Sequence, residues 1–259
     1  MKQRIISAVI ALLALVLVLF YLPAAVAQAV FFAAILAGAW EWSAFLGMSG
    51  QALRVGYVLL IAALLAAVTM LAVNPERIFQ LALAWWLLAL IWTFFFPTRI
   101  PGAVRWIAGA LLLVPLYAAL VVLYTAGPLV LLFALVVVWM ADIGAFFVGR
   151  AFGKVKLAPQ ISPGKTWEGA IGGLVAVALL AGLATVWIDN GFAVIVPFCL
   201  AVAGLSIVGD LTVSMFKRTA GLKDSGKLFP GHGGVLDRMD SVAAALPLFA
   251  LGLGLMGLT

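Results

Sequence analysis

The sequence predicts an all-α, polytopic integral membrane protein with about nine transmembrane helices. Only 9% of its 259 residues are charged and 67% are hydrophobic, whereas a soluble domain carries about a quarter charged residues. Apolar runs of roughly 18 residues or more recur along the chain, and each could cross a hydrocarbon core about 30 Å thick as a helix. The basic residues fall on alternate connections between these runs, which supports both the number of spans and their orientation.

The predicted spans follow one another with only short connections. Turn and helix-breaking residues separate them, as at Gly50, Asn74-Pro75, Pro97 to Pro101, Gly127-Pro128 and Asp189 to Gly191. The spans cover residues 5–22, 24–46, 55–73, 78–97, 104–124, 127–148, 168–188, 193–214 and 238–257. Because no soluble domain or long linker interrupts them, we expect residues 1–259 to form a single membrane domain.

The N-terminus resembles a secretory signal, since Lys2 and Arg4 precede an apolar run and Ala25-Val26-Ala27 resembles a cleavage site. The run from Ile5 to Leu22 is longer than the usual apolar region of a signal, however, and apolar sequence continues beyond it. We therefore expect an uncleaved first span.

The distribution of positive charge predicts that the N-terminus is cytoplasmic and the C-terminus lies on the opposite side. In this orientation fourteen of the fifteen Lys and Arg residues are on the inner side, and only Arg77 is outside. The inner residues are Lys2, Arg4, Arg54, Arg99, Arg105, Arg150, Lys154, Lys156, Lys165, Lys217, Arg218, Lys223, Lys227 and Arg238. The net charge of +6 then belongs to the cytoplasmic face and suits anionic lipid or anionic cytosolic ligands. It does not predict nucleic-acid binding, because no folded soluble module is available to present the charges.

Acidic residues lie within the predicted spans and at their starts. They are Glu41, Asp142, Asp210, Glu168, Asp237 and Asp240. An ionised carboxylate in hydrocarbon is costly, so such a residue normally faces a cavity, a cation or a basic partner. For Glu41, between Trp40 and Trp42, a structural ion pair and a functional role are equally open.

Helical spacing places several of these polar residues in rows. Asp210, Ser214 and Lys217 are separated by four and three residues, so they line one face at the cytoplasmic end of the eighth span. Asp237 and Asp240 form a similar row at the start of the ninth, where a helix N-terminus favours negative charge. The connection between the two rows is rich in glycine, which permits close backbone approach to a ligand. Together these features predict a pocket for a polyphosphate and a metal ion.

The residue types at this pocket favour one kind of metal. Oxygen ligands predominate, and Cys199 is the only cysteine, so Mg²⁺ is favoured over zinc.

The other charged inner connection contains "ISPGKTWEG", from Ile161 to Gly169. It is not a phosphate-binding P-loop, because Pro159 stands where that motif needs its first glycine and no parallel sheet is predicted. Ser162, Lys165 and Thr166 nonetheless precede a helix start, a location that suits phosphate.

The stretch from Ser214 to Asp240 resembles the signature of the phosphatidate cytidylyltransferase (CDP-diglyceride synthase) family, S-x-x-K-R-x4-K-D-x-G-x2-F-P-x-H-G-G-x-x-D-R-x-D, with every fixed position filled. The segment "WMADIGAFFVGRAFGKVKLAPQISPGKTWEG", residues 139–169, is similar to a second block of that family. The resemblance covers residues 139–257, and before them only hydropathy and "AWEW" at 39–42 are similar. Ile143 and Phe146 depart from it, because family members commonly carry a hydroxyl residue and a tyrosine there.

The resemblance implies transfer of a cytidylyl group from CTP to phosphatidate, giving CDP-diacylglycerol and pyrophosphate with a divalent cation. It implies N-terminal helices in 1–138 and a catalytic region in 139–259, and the distribution of positive charge predicts that loops 149–167 and 215–237 are cytoplasmic. Phosphatidate is already largely ionised near neutral pH, since the second pKa of a phosphoryl group is about 6. Such a site needs cations and backbone donors more than a general base.

The resemblance also implies roles for individual residues. Asp210 and Asp237 are the leading metal ligands and act in catalysis with Lys217 and Arg218, while Asp142 and Asp240 are secondary ligands. The same two basic residues would contact CTP phosphates or the phosphatidate headgroup. The other substrate-binding residues implied are Ser162, Lys165, Ser214, Lys223, His232 and Arg238. Mg²⁺ is the expected cofactor, and a second cation such as K⁺ stays open.

Two other classes of protein are disfavoured. In a transporter the polar residues should line a path through the bilayer midplane, whereas here they cluster at the cytoplasmic ends. A CDP-alcohol phosphotransferase carries a D-G-x2-A-R-x8-G-x3-D-x3-D pattern, which this sequence lacks. The expected partners are CTP, phosphatidate and membrane lipid, with a homodimer left open. The expected location is a bacterial inner membrane, with the site facing the cytoplasm.

Overall fold

The structure is a computed structural model that describes residues 2–47, 50–186, 191–226 and 233–256, with the backbone alone described for residues 2–8. Within these ranges the chain forms nine α-helices, a single 3-10 turn and one two-stranded hairpin. The helices are α1 (Lys2–Phe20), α2 (Ala24–Trp42), α3 (Gln51–Met70), α4 (Pro75–Phe94), α5 (Gly102–Ala126), α6 (Pro128–Phe152), α7 (Trp167–Ala184), α8 (Phe192–Thr219) and α9 (Leu236–Leu255). The 3-10 turn is Ser43–Leu46, and the hairpin strands are β1 (Lys156–Ala158) and β2 (Ser162–Thr166).

Each predicted span corresponds to one helix, and the predicted class of an all-α polytopic membrane protein is confirmed. In the described part of the chain eight helices, α2 to α9, have the length and composition needed to cross a membrane. The first helix contributes a shorter apolar stretch, Val9–Phe20. That α1 crosses the membrane, and that the N-terminus is cytoplasmic, stay predictions.

Helix ends follow local sequence. The Asn74 side chain accepts a hydrogen bond from the Glu76 amide at 2.9 Å, and Pro75 occupies the first turn of α4, where its missing N–H is not needed. Gly127 has a φ of 153° between α5 and α6, a conformation that a side chain would disfavour. These breaks keep consecutive helices antiparallel with short connections.

The hairpin departs from the simple loop predicted at 149–167. Its strands pair antiparallel, and the Trp167 amide donates to the Val155 carbonyl at 2.9 Å. The Glu168 carboxylate, in the first turn of α7, accepts hydrogen bonds from the amides of Lys154 and Val155, at 3.1 Å from the nearer oxygen in each case. These bonds come from residues outside the strands, so the strand sequences alone do not indicate the hairpin.

The boundaries of the second charged connection also differ from those predicted. Helix α8 continues to Thr219, beyond the predicted end of the span at 214, so Arg218 is helical, and so is Lys217, as the predicted row of Asp210, Ser214 and Lys217 requires. Met215 and Phe216 are fully buried, and this apolar packing extends the helix. The connection to α9 is therefore residues 220–235 instead of 215–237.

Glycines allow the helices that carry the acids to pack closely. A side chain at Gly144 or Gly173 would overlap the opposite helix of the α6–α7 pair. A side chain at Gly209 in α8 would overlap the Asp240 backbone in α9. Small residues at a membrane helix interface permit this approach, and here it brings Asp210 beside Asp240.

Candidate active site

The polar residues predicted from the sequence gather where the hairpin, α6, α8 and α9 meet. Lys165 of β2 forms an ion pair with Asp210 of α8, with Nζ 2.6 Å from Oδ2. The side chains of both residues remain about a quarter exposed, at 25% and 26%. The Ser214 hydroxyl, one turn further along α8, donates to Asp210 Oδ1 at 3.1 Å. The Asp210 carboxylate, which lies within a predicted span, thus has a cationic partner from the hairpin. Such a partner offsets the free-energy cost of placing an ionised carboxylate in hydrocarbon.

Lys217 joins α8 to the start of α9. Its side chain is only 9% exposed, and Nζ lies 2.8 Å from Asp237 Oδ1 and 3.8 Å from Asp240 Oδ2. It also interacts electrostatically with Asp210. The lysine therefore balances the acids of both helices, which is how a buried ammonium group is tolerated.

Asp237 is held by several donors. Besides Lys217, its carboxylate accepts hydrogen bonds from the backbone amides of Ser225, at 2.8 Å, and Gly234, at 3.0 Å. Gly233 has a φ of 81°, and a side chain there would overlap Asp237. The carboxylate thus organises the backbone on both sides of residues 227–232.

Asp142 faces the same region from α6. It interacts electrostatically with Asp210, Lys165 and Arg238, and it hydrogen-bonds Ser241 of α9. Asp240 likewise interacts with Asp210. Three carboxylates from three helices therefore interact electrostatically with Lys165.

A cavity of about 420 Å³ opens beside the Lys165–Asp210 pair, and we call it the polar cavity because of the charged side chains in its wall. The hairpin, α6, α7 and α8 contribute its walls. Its polar side chains and glycines include Asp142, Gly149, Arg150, Gly164, Lys165, Thr166 and Asp210. Thr166 caps α7 by accepting a hydrogen bond from the Gly169 amide, so the start of that helix also borders the cavity. Cationic groups and a helix start around one cavity suit a phosphorylated ligand.

A second, mainly apolar cavity of about 780 Å³ adjoins the first. It lies among α4, the hairpin, α7 and α8, and the two cavities share Leu157, Ala170 and Ile207 as lining residues. Gly204 lines its wall, and a side chain there would meet open space. The two cavities therefore lie side by side at this site.

The remaining predicted substrate-binding residues lie around this cluster. Arg218 is exposed, and its Nε donates to the Ile161 carbonyl of the hairpin turn at 3.1 Å. Ser162 is half-buried in β2, and Lys223 is exposed in the α8–α9 connection. Arg238 is exposed in the first turn of α9 and interacts with Asp142. His232 lies outside the described residues.

Two further residues lie at or beside the site, although the sequence did not indicate a role for them there. Arg150 lines the polar cavity, although its position at the end of a span indicated only an inner basic residue. Glu41 is 7% exposed and accepts hydrogen bonds from both ends of the segment 225–236. Its location beside two tryptophans gave no sign of that partner, which is nearly 200 residues away in the chain.

The described residues can be tested for their fit to a metal ion. Among them, no group of three His, Cys, Asp or Glu side chains is arranged to hold a metal by itself. The donors near the cavity are carboxylates, with Asp210 close to Asp142 and Asp240. This set fits Mg²⁺, which is usually bound through one or two carboxylates while water and substrate phosphates complete its shell. Asp237 as a ligand stays a prediction, and its carboxylate already accepts one hydrogen bond at Oδ1 and two at Oδ2.

Fold and site define a polytopic membrane protein with a cavity bordered by Lys165 and Arg150 beside an apolar one. The chain belongs to the cytidylyltransferase family, whose sequence model matches residues 2–256. It is 43% identical over 261 residues to a phosphatidate cytidylyltransferase of Pseudomonas aeruginosa, with 96% of each chain covered. It is 38% identical over 288 residues to one of Haemophilus influenzae, covering 96% of this chain and 97% of that one. The resemblance predicted from residues 139–257 is confirmed, and it extends over almost the whole chain.

Proposed function

We propose that this protein catalyses the reaction of CTP with phosphatidate to give CDP-diacylglycerol and pyrophosphate. A phosphate oxygen of phosphatidate forms a bond to the α-phosphorus of CTP, and the bond from that phosphorus to the bridging oxygen of pyrophosphate breaks. Near-full-length similarity to proteins named for this activity supports the proposal.

The observation that carries the proposal is that the two cavities lie side by side and share lining residues. A phosphatidate molecule has an anionic headgroup and two apolar chains, so it needs both kinds of environment at one place. The polar cavity supplies Lys165 and Arg150, and the apolar cavity begins at the same lining residues, Leu157 and Ile207. A soluble nucleotide alone would not require the apolar cavity.

The residues of this chain are suited to holding and neutralising anions. The phosphatidate nucleophile is already largely ionised near neutral pH, so no general base is required. Lys165 and Arg150 reduce the repulsion between two polyanions and orient them, which is the main contribution expected in phosphoryl transfer. We propose that ligand phosphate displaces Lys165 from Asp210, so that the lysine binds phosphate and the carboxylate is released.

Mg²⁺ fits this arrangement. Asp210, together with Asp142 or Asp240, would hold it, and when bound it would neutralise charge on the nucleotide phosphates. The roles proposed for Lys217 and Asp237 are to complete the positive and negative charges of the site and to keep the α8–α9 connection in place.

We further propose that the site faces the cytoplasm of a bacterial inner membrane, because CTP is cytosolic and the basic connections are predicted to be inside. The eight long apolar helices of the described chain are those of an integral membrane protein, and the relatives named above are bacterial.

The proposed activity can be tested directly. Purified protein in mixed micelles with phosphatidate and Mg²⁺ should release pyrophosphate with CTP and form CDP-diacylglycerol, measured by mass spectrometry. ATP, GTP and UTP, and micelles containing diacylglycerol in place of phosphatidate, are the controls. Absence of CDP-diacylglycerol with a folded preparation, or equal turnover with every nucleotide, would contradict the proposal.

A further inference from the structure

Glu41, at the end of α2, is bonded to a segment far away in the chain. Its Oε2 accepts hydrogen bonds from the Ser225 hydroxyl and the Leu236 amide, both at 2.8 Å. Its Oε1 accepts one from the Val235 amide at 3.0 Å. One buried carboxylate thereby joins Ser225 to the start of α9.

Two of these donors belong to the start of α9. Amides in the first turn of a helix have no acceptor within the helix, and α9 has no side-chain cap of its own at Val235. A carboxylate is favoured at a helix N-terminus, where the backbone dipole is positive. Glu41 therefore acts as the cap of α9, supplied by another helix.

The segment is shaped to admit this carboxylate. A side chain at either Gly226 or Gly234 would overlap the Glu41 carboxylate. The backbone therefore approaches Glu41 closely from both sides of residues 227–232, as glycine permits.

The same segment carries a residue of the proposed site. Ser225 donates its hydroxyl to Glu41 and its backbone amide to Asp237 at 2.8 Å. Asp237 in turn pairs with Lys217. A chain of direct contacts thus runs from Glu41 through Ser225 and Asp237 to the lysine that joins α8 and α9.

We propose that Glu41 is a positioning residue for the proposed reaction. It touches no proposed substrate atom, and it acts by capping α9 and holding Ser225 beside the start of that helix, which fixes Asp237 and Lys217. The kinetic part of this proposal rests on the proposed function, whereas the structural part can be measured without any activity.

Glu41→Gln is the test variant. The Gln side chain has the same size, but one of its two terminal groups is an NH₂ group, which cannot accept a hydrogen bond. In one orientation this group faces the Val235 amide, and in the other it faces the Leu236 amide. One hydrogen bond of the cap is therefore lost in either orientation. Ser225→Ala is the milder variant, because it removes one hydroxyl and keeps the amide that binds Asp237. Glu76→Gln is the matched control, since Glu76 lies in the first turn of α4 and its side chain hydrogen-bonds Gln80.

Two measurements are made on each variant: kcat and KM for CTP, and amide hydrogen exchange followed by mass spectrometry. We expect Glu41→Gln to lower kcat by about 100-fold, the size of effect that a misplacement of about 1 Å produces, with KM for CTP changed less than threefold. Ser225→Ala should lower kcat by roughly tenfold, in line with one hydrogen bond to a charged group. Exchange should become faster in peptides covering 220–240 and stay unchanged in α5 and α6.

A kcat for Glu41→Gln and Ser225→Ala within twofold of wild type would overturn the proposal. So would exchange that accelerates equally in all helices, since that would show a general role in stability. If Glu41→Gln does not fold, Ser225→Ala decides by the same criteria. Wild-type protein without CTP-dependent activity would refute the proposed function, and the exchange pattern would still decide whether Glu41 caps α9.

Discussion

Lys165 Nζ lies 2.6 Å from Asp210 Oδ2, so a residue of the short hairpin neutralises an acid of the membrane helix α8. The pair borders the polar cavity. A phosphate group would bind Lys165 in place of the Asp210 carboxylate, and a metal ion would bind Asp210 in place of the Lys165 ammonium group. The pair is therefore the natural place for phosphate and metal to bind.

Removing either partner should lower activity strongly. We expect Lys165→Gln and Asp210→Asn each to reduce kcat/KM by about 100-fold or more, as loss of a group that stabilises developing charge does. The double variant should have a higher unfolding temperature than the less stable single variant, because neither charge of the pair is left without its partner. It should stay inactive. The measurements are CTP-dependent turnover and unfolding temperature in detergent. Recovery of activity in the double variant would show that the pair is only structural.

The Asp237→Asn variant distinguishes two roles for Asp237, as a ligand of Mg²⁺ or as a structural hydrogen-bond acceptor. If Asp237 binds Mg²⁺, the variant should lose most activity, and the Mg²⁺ concentration giving half-maximal rate should rise about tenfold or more, since one carboxylate ligand is lost. If Asp237 only holds Lys217 and the backbone of the connection, turnover should fall with an unchanged Mg²⁺ dependence. A Mg²⁺ titration of turnover distinguishes the two. Near wild-type turnover at saturating Mg²⁺ would exclude both roles.

Arg150 should bind phosphate, whereas Lys154 should act only as a surface charge. Arg150→Gln is expected to lower turnover by a large factor that added salt does not reproduce, because a contact inside the cavity is weakly screened. Lys154→Gln should have a modest effect that fades as ionic strength rises. A salt titration of activity compares the two. Equal losses with equal salt dependence would place Arg150 outside the site.

The apolar cavity should accept the acyl chains of the substrate. Gly204→Phe would project into open space within this cavity, so we expect a higher KM for long-chain phosphatidate. The KM for dihexanoyl phosphatidate should change little, because short chains need less of the space. Gly56→Phe is the matched control, since a side chain at that exposed position of α3 also meets open space. Equal effects on both chain lengths would argue against this use of the cavity.

The orientation of the protein can be tested with one cysteine. Cys199 is buried, and Cys199→Ala provides a background without a native thiol. Lys156→Cys in β1 should then react with a membrane-impermeant maleimide only from the cytoplasmic side of oriented vesicles. Labelling from the opposite side would overturn the predicted orientation.

Much of the architecture could be predicted because membrane insertion depends on local composition. Apolar length alone indicated each of the helices, and Gly127-Pro128 and Asn74-Pro75 marked where helices meet. The hairpin could not be predicted in this way, because Glu168, outside its strands, provides the hydrogen bonds that tie its base to α7. The end of α8 was placed too early, since buried packing of Phe216 extends the helix beyond the apolar run.

Hydropathy and a filled signature are properties of consecutive residues, so the class of the protein, its family and most residues of the polar cluster could be predicted without the structure. Tertiary structure alone decided the partners within that cluster. Lys165 meets Asp210 and Glu41 meets Leu236 only because distant helices pack together. No spacing in the chain encodes those distances, since the geometry that sets them comes from close helix contacts such as Gly209 against Asp240.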